Sequence, residues 1–162
     1  MNSKLIIRDT NKYGKGVFAN KDIKKGELVK KFSGEIISLK ECLDRVAKGV
    51  MNNDDGFQIN NEKYLVLDNT SLSFNHNCNP NAIFKNDTEL VTIKNIKKGH
   101  EITYDYSTTV GSNITSKMWT MPCKCGSKIC RKKLGNVLTV PKNTLKKYLK
   151  DGLLQNYIIK QL

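Results

Sequence analysis

Arginine, histidine, acidic residues and long apolar runs are all scarce in this chain of 162 residues. No apolar run approaches the roughly 20 residues of a membrane-spanning helix. Mean hydropathy is -0.49, so the chain reads as soluble and no membrane partner is expected. No long apolar stretch follows Met1-Asn2-Ser3-Lys4-Leu5, so no secretory signal is visible. Only 15 acidic residues stand against 28 basic ones, a formal net charge of +13. Of the basic residues only Arg8, Arg45 and Arg131 are arginines. Base-specific readout of nucleic acid leans on the arginine fork. A charge made almost wholly of lysine instead fits sequence-blind phosphate attraction, or solubility alone. Non-specific nucleic-acid contact is one expectation about partners. The richness in Asn and Ile offers codon bias as another source of lysine.

What is present bounds the architecture. The length suits one domain with a core of modest size. Five cysteines make an odd number, and three crowd into Cys123 to Cys130. Without a secretory signal this favours a reduced, intracellular protein, nuclear or cytoplasmic, with a metal site rather than a disulfide scaffold. Leu5-Ile6-Ile7, Gly16-Val17-Phe18-Ala19, Leu28-Val29 and Glu35-Ile36-Ile37 read as strands between turns. Ser38-Leu39-Lys40-Glu41 has capping-box spacing. Leu39, Leu43, Val46 and Ala47 then predict one short amphipathic helix stopping at Gly49. Phe57-Gln58-Ile59 and Tyr64 to Leu67 return to strand, and Ala82 to Phe84 with Glu89 to Ile93 predict a hairpin across Asn86-Asp87. Ser107 to Ser116 reads as a linker loop. Pro141 opens a last helix with Leu145, Tyr148 and Leu149 on one face and Gly152 at its stop; Leu153 to Leu162 is apolar enough to dock. Asp22-Ile23-Lys24-Lys25-Gly26-Glu27 is echoed by Asn95-Ile96-Lys97-Lys98-Gly99-His100, each a turn feeding a strand, too short to be a repeat. The sum is a mostly β, α+β domain.

Three stretches carry chemistry in sequence order. The first is Ser73-Phe74-Asn75-His76-Asn77-Cys78-Asn79-Pro80-Asn81, the second Gly99-His100-Glu101-Ile102-Thr103-Tyr104-Asp105-Tyr106, the third Cys123-x-Cys125-Gly126-x3-Cys130-Arg131. The cysteines suit zinc, which thiolates bind at about 2.3 Å and which takes four ligands in structural sites. Only three are local here. Cys78, Cys42, His76 and His100 are the candidates for the fourth, and spacing does not choose among them. Cys42, inside the predicted helix, reads better as core. Tyr13-Gly14-Lys15-Gly16-Val17 adds a G-x-G turn.

In this order the three stretches resemble the SET-domain protein lysine methyltransferases, with their N-H-S-C-x-P-N, G-E-E-L-T-x-D-Y and post-SET C-x-C-x4-C-R motifs. The resemblance covers approximately residues 4 to 135. It implies small curved sheets around a threaded, pseudoknot-like C-terminal segment, in which the YDY stretch passes beside the NHxC stretch. It implies a division into a SET domain (1–112), a post-SET zinc-binding segment (117–135) and a C-terminal helical extension (136–162). It assigns zinc to Cys78, Cys123, Cys125 and Cys130, and S-adenosylmethionine to Lys15, Gly16, Asn75, His76 and Tyr106. Tyr106 matches the catalytic tyrosine. Tyr104 matches a channel position where Tyr accompanies mono- and dimethylation. The implied partner is a protein that presents a lysine, a histone or another basic protein, to a monomeric enzyme.

The chemistry agrees with those residue types. A lysine of pKa about 10.4 costs roughly 4.6 kcal/mol to deprotonate at pH 7, and a dry channel beside a sulfonium lowers that cost. The sequence also departs from the family pattern: Phe32 stands where many members carry a second channel tyrosine, Asn77 replaces a Ser and His100 a Glu. Two other readings follow from the same residues. One is a zinc-stapled basic module that binds nucleic acid or histone without catalysis; the other is an inactive SET scaffold.

Overall fold

The computed structural model describes residues 3–11 and 14–162. Tyr13 of the G-x-G stretch lies outside the described residues. In chain order the strands are β1 (Leu5–Thr10), β2 (Gly14–Ala19), β3 (Leu28–Lys31), β4 (Gly34–Ser38), β5 (Gly56–Gln58), β6 (Lys63–Leu67), β7 (Asn75–His76), β8 (Ala82–Lys85), β9 (Glu89–Thr92), β10 (Thr103–Tyr104), β11 (Met121–Pro122) and β12 (Lys133–Leu134). The helices are α1 (Leu39–Ala47), α2 (Asn69–Leu72), α3 (Lys142–Lys150) and α4 (Asn156–Ile159). Among the described residues the strands form five small sheets: β1–β2, β3–β9–β8, β4–β6–β5, β7–β10 and β11–β12. Of these sheets only β7–β10 is parallel among the described residues, pairing Thr103 with Asn75 and Tyr104 with His76. The YDY stretch therefore lies beside the NHxC stretch, as the resemblance implies.

Two cores share one hairpin. On β8 and β9, Phe84 and Leu90 face an aromatic cluster of Phe32, Phe57, Phe74 and Tyr104. Their neighbours Ile83 and Val91 face the other way. Strand alternation sends successive side chains to opposite faces, so the continuous apolar run Ala82-Ile83-Phe84 is buried on both. The second face is covered by Val137, Val140, Leu145, Tyr148, Leu154, Tyr157 and Ile158. The C-terminal stretch thus docks, as its apolar content predicts.

Local chemistry sets the element ends. Ser38 caps α1 by accepting from the Glu41 N–H at 3.1 Å. Glu41 itself accepts from Arg45, whose guanidinium also grips Glu35 on β4. Leu43 and Leu149, expected on buried faces, are 44% and 37% exposed. In α1 Cys42 takes the inward position, and in α3 Leu145 and Tyr148 suffice.

The linker loop predicted over Ser107 to Ser116 is loop and turn only from residue 110 on. Tyr106–Thr109 is a short 3-10 helix in which Ser107, Thr108 and Thr109 are buried. Their hydroxyl-rich composition suggested solvent. Instead Thr108 and Thr109 donate to the Asp105 and Tyr106 carbonyls, and Ser107 N–H donates to Asp105, so the polar groups are satisfied inside. Beyond them the Gly111 N–H donates to Gln58 and the Ser112 N–H to Gln161, which knits the first sheets to the C-terminus.

Candidate active site and thiol cluster

The segment Ser71–Asn75 separates two cavities. One, of about 300 Å³, is lined by Ser71 and Phe74 together with Tyr104, Tyr106, Tyr64, Asp54 and Trp119. The other, of about 390 Å³, is lined by Ser73 and Asn75 with Ile7, Lys15 and Asn69. Leu72 lines both. Phe74 and Asn75 are neighbours entering β7, and extended backbone turns them to opposite sides.

On the Asn75 side the residues form a close-packed bracket. The Asn75 amide donates to the Lys15 carbonyl at 3.0 Å and to Glu101 Oε1 at 2.7 Å. Gly16 is buried beneath it. A Cβ there would stand 2.5 Å from Glu101 Oε1, 2.8 Å from Thr10 Cγ2 and 3.1 Å from Asn75 Nδ2, so a larger residue would have to displace the Glu101 carboxylate and crowd Thr10 and Asn75. Lys15 and Asn75 are thus brought together at one cavity, with Gly16 packed against Asn75.

On the Phe74 side, Tyr104 and Tyr106 stand with ring centroids 4.9 Å apart. The Tyr106 hydroxyl donates to the Phe74 carbonyl at 2.7 Å, and burial pushes both phenols up, so they remain neutral. Asp54 and Asp55 are the only charged residues among those lining this cavity, and Trp119 Nε1–H holds Asp54 at 2.9 Å. Phe32 does not line it. It is 1% exposed and packs behind Tyr104 and Phe74, at 4.8 Å from Phe84 and 5.2 Å from Phe57. A phenylalanine there removes no hydroxyl from the cavity wall.

Next to this wall lies a cluster of thiols. Cys78 Sγ is 3.8 Å from Cys123 Sγ, which is 3.6 Å from Cys130 Sγ. Cys125 belongs to the same cluster. Tetrahedral zinc with bonds of about 2.3 Å separates its sulfurs by about 3.8 Å, so the spacing fits that ion. His76, Cys78, Cys123 and Cys125 also offer ligand atoms within 4.8 Å of one another. The ring of His76 is committed elsewhere, however. Its Nδ1 accepts from the Tyr106 N–H at 3.2 Å, and burial pushes its pKa down to about 4. The neutral ring then carries its proton on Nε2, which lies 3.2 Å from Cys78 Sγ and points an N–H at the sulfur rather than a lone pair at a metal. Cys42 and His100 are away from the cluster: Cys42 packs with Met51 and Tyr64, and His100 is exposed with Nδ1 near the Lys97 carbonyl.

Electrostatics bind the cluster to the tyrosines. Burial pushes the Cys78 thiol up, and the Cys123 thiol further, whereas the Lys132 N–H brings Cys130 down to about 7. A divalent cation would hold all of them as thiolates. Arg131 N–H points at Cys78 Sγ, and its side chain pairs with Asp105 at 2.5 Å. Asp105 is 2% exposed; burial pushes its carboxyl up and Arg131 opposes that. The acid between the two tyrosines thus clamps the cysteine segment onto β10.

Several of these groups escaped the reading of the motifs. Glu101 braces Asn75, and Asn81 bridges strands by donating to the Glu101 carbonyl and accepting from the Thr103 N–H. The available signal was their place inside the motifs. For Asp54 and Trp119 there was none, because they are 65 residues apart in sequence.

The comparisons with known proteins agree with this geometry. The family model for the SET domain matches residues 14–107. Histone-lysine N-methyltransferase ASHH3 of Arabidopsis thaliana is 31% identical over 153 residues, covering 86% of this chain and 40% of that protein. Human histone-lysine N-methyltransferase 2D is 33% identical over 134 residues, covering 74% of this chain and 2% of that protein. Among solved structures, a humanized mutant of Polycomb Repressive Complex 2 from Chaetomium thermophilum superposes with a TM-score of 0.57 at 25% identity, covering 65% of this chain and 15% of that one. The chain spans less than half the length of these curated relatives. With a family match over more than half its residues, and with the YDY strand laid parallel to the NHxC strand, the chain belongs to the SET-domain family.

Proposed function

We propose that this protein transfers methyl groups from S-adenosylmethionine to the side-chain amine of a lysine in a protein substrate. The observation that carries the reading is the pair of cavities on the two sides of Ser71–Asn75, which share Leu72, with the Tyr106 hydroxyl bonded to the Phe74 carbonyl on the side of the first. S-adenosylmethionine, when bound, supplies a methyl group on a sulfonium, which a neutral amine takes up. Lys15, Gly16, Asn75 and the main chain of His76 would hold it, with Tyr106 at the wall between the cavities. Cys78, Cys123, Cys125 and Cys130 would hold one zinc ion, whose role is structural.

The chain's own residues account for the amine side. Asp54 and Asp55 draw an ammonium towards a wall that carries no cation, although the whole chain is +13. Further in, the two buried phenols and the Phe74 carbonyl offer hydrogen-bonding groups but no charge, so the amine is favoured in its neutral form. They orient its lone pair. The acidic mouth suits a lysine in a basic segment. Histones are the substrates named for the relatives, which favours a histone or another basic protein, and a nuclear location.

Cofactor binding separates this from a non-catalytic basic module. At a concentration 100 times its dissociation constant, S-adenosylmethionine stabilises the folded state by about 2.7 kcal/mol, a rise in melting temperature of about 5–11 °C for a chain of this size. Asn75→Ala removes the bracket and most of the shift. A wild-type melting curve unmoved by saturating S-adenosylmethionine would support the module instead.

Tyr104 governs the product. A phenol at the inner wall holds the amine, or a water beside it, and an amine already carrying methyls must displace that partner. A lost buried hydrogen bond costs about 1–3 kcal/mol, which slows later transfers roughly 5- to 150-fold. The wild type is expected to make mono- and dimethyl-lysine, and Tyr104→Phe to shift the products towards trimethyl-lysine. Mass spectrometry of a lysine peptide reads the ladder; abundant early trimethyl-lysine from the wild type counts against this role.

A further inference from the structure

The charge of this chain is not spread evenly. Residues 106–162 hold 11 Lys and Arg against 1 acid, Asp151, a net of +10 out of +13. In the first 105 residues 17 cations face 14 anions, a net of +3. The ion pairs follow the same division. Lys4, Lys30, Lys40, Arg45 and Lys97 are each paired with a carboxylate. Lys128, Lys142, Lys146, Lys147 and Lys150 are exposed and make no ion pair among the described residues.

These lysines form one surface. On α3, Leu145 and Tyr148 point into the second core. Lys142, Lys146 and Lys150 recur every four residues on the outward side, a single stripe. Lys94, on the loop after β9, lies near Lys147; burial and the Lys147 charge push its ammonium down. Lys94 also donates to Asn79 at 2.8 Å. Asn79 in turn lines a shallow groove with Cys125, Gly126 and Lys128. Lys147 of α3, Lys94 and Asn79 thus link the helix to the groove beside the cysteine segment.

We propose that this lysine surface, formed by α3, Lys94 and Lys128, binds the phosphate backbone of double-stranded DNA without reading its sequence. Its lysines offer point charges suited to phosphates. The only arginine of the region, Arg131, is committed to Asp105, so base readout through an arginine fork is absent. Single-stranded nucleic acid is favoured by exposed aromatic platforms. Here Tyr148 and Tyr157 are buried, and Tyr106 and Trp119 line the first cavity. The surface is independent of the catalytic reading.

Fluorescence anisotropy of a short labelled DNA duplex tests this. Neutralising about five phosphates gives a slope of log affinity against log salt of about -4 to -5, hence a loss of about 250- to 1000-fold between about 50 and about 200 mM salt. The triple variant Lys142→Gln, Lys146→Gln, Lys150→Gln should flatten the slope by about 3. It should leave the melting temperature, the S-adenosylmethionine shift and methylation of a free peptide unchanged. The triple variant Lys21→Gln, Lys24→Gln, Lys25→Gln loses the same charge from another surface and should keep the wild-type slope. Equal flattening in both variants overturns the proposal in favour of net charge alone. Tighter binding to phosphatidylserine vesicles than to the duplex overturns it in favour of a membrane surface.

Discussion

Cys78→Ser is expected to abolish binding of the proposed zinc ion and to cost the protein about 4 kcal/mol, lowering the melting temperature by about 8–16 °C. Cys78 follows directly on the strand that carries Asn75 and His76, whereas Cys123, Cys125 and Cys130 belong to the segment between β11 and β12. The metal would therefore join parts of the chain 45 residues apart in sequence. Without it the segment is tied by the Arg131–Asp105 pair and by the Cys123 N–H to Lys132 carbonyl bond, which stays within the segment. In the variant three thiols and a serine hydroxyl would be left in a mostly apolar cluster against Leu134. Cys42→Ser is the control, because Cys42 packs elsewhere. Elemental analysis should find about one zinc in the wild type and in Cys42→Ser, as one tetrahedral site requires, and much less in Cys78→Ser. Zinc lost from Cys42→Ser and kept in Cys78→Ser would overturn the ligand set.

Tyr106→Phe is expected to cut methyl transfer roughly 100-fold, the scale of loss from mispositioned reacting groups. It should leave zinc content and cofactor affinity close to wild type. The ring stays, so packing against Tyr104 and His76 is kept. What goes is the hydroxyl that donates to the Phe74 carbonyl at the wall between the cavities. That carbonyl is then unpartnered, at a cost of about 1–3 kcal/mol, and a group that orients the amine is missing. Single-turnover kinetics with a lysine peptide separates this from a binding defect: the transfer rate falls while the S-adenosylmethionine melting shift persists. A variant with wild-type transfer rates would remove Tyr106 from the catalytic role. Tyr104→Phe is expected to differ, changing the product ladder rather than the rate of the first methylation.

The parts of this molecule that were legible in sequence are those that local chemistry dictates. Short apolar runs between turns marked the strands, Ser38 and Gly49 marked the ends of α1, and the φ of +68° at Gly49 is what a helix stop requires. The echo of Asp22–Glu27 in Asn95–His100 was visible but its meaning was not. In the fold the two copies pair with each other: Ile23 and Ile96 exchange both backbone hydrogen bonds at 2.8 Å. Asp22 caps the Lys98 N–H, and Asn95 caps the Lys25 N–H. Non-local pairing of this kind leaves no local trace. The same holds for the Ser/Thr-rich stretch after Tyr106, where burial of hydroxyls depends on partners that periodicity does not reveal. Phe32 shows the converse. A motif position suggested a lost channel hydroxyl, and packing put the ring one layer behind the cavity. The parallel contact of β7 with β10 came from the family resemblance and from no pattern in the residues themselves.

The most direct test is incubation of purified protein with S-adenosylmethionine carrying a tritiated methyl group and a lysine-containing basic protein, followed by hydrolysis and identification of the labelled amino acid. Label on methylated lysine from the wild type, and almost none from Tyr106→Phe, is the predicted result. Absence of label from a zinc-replete protein whose melting temperature rises with S-adenosylmethionine, or label on a residue other than lysine, would contradict it.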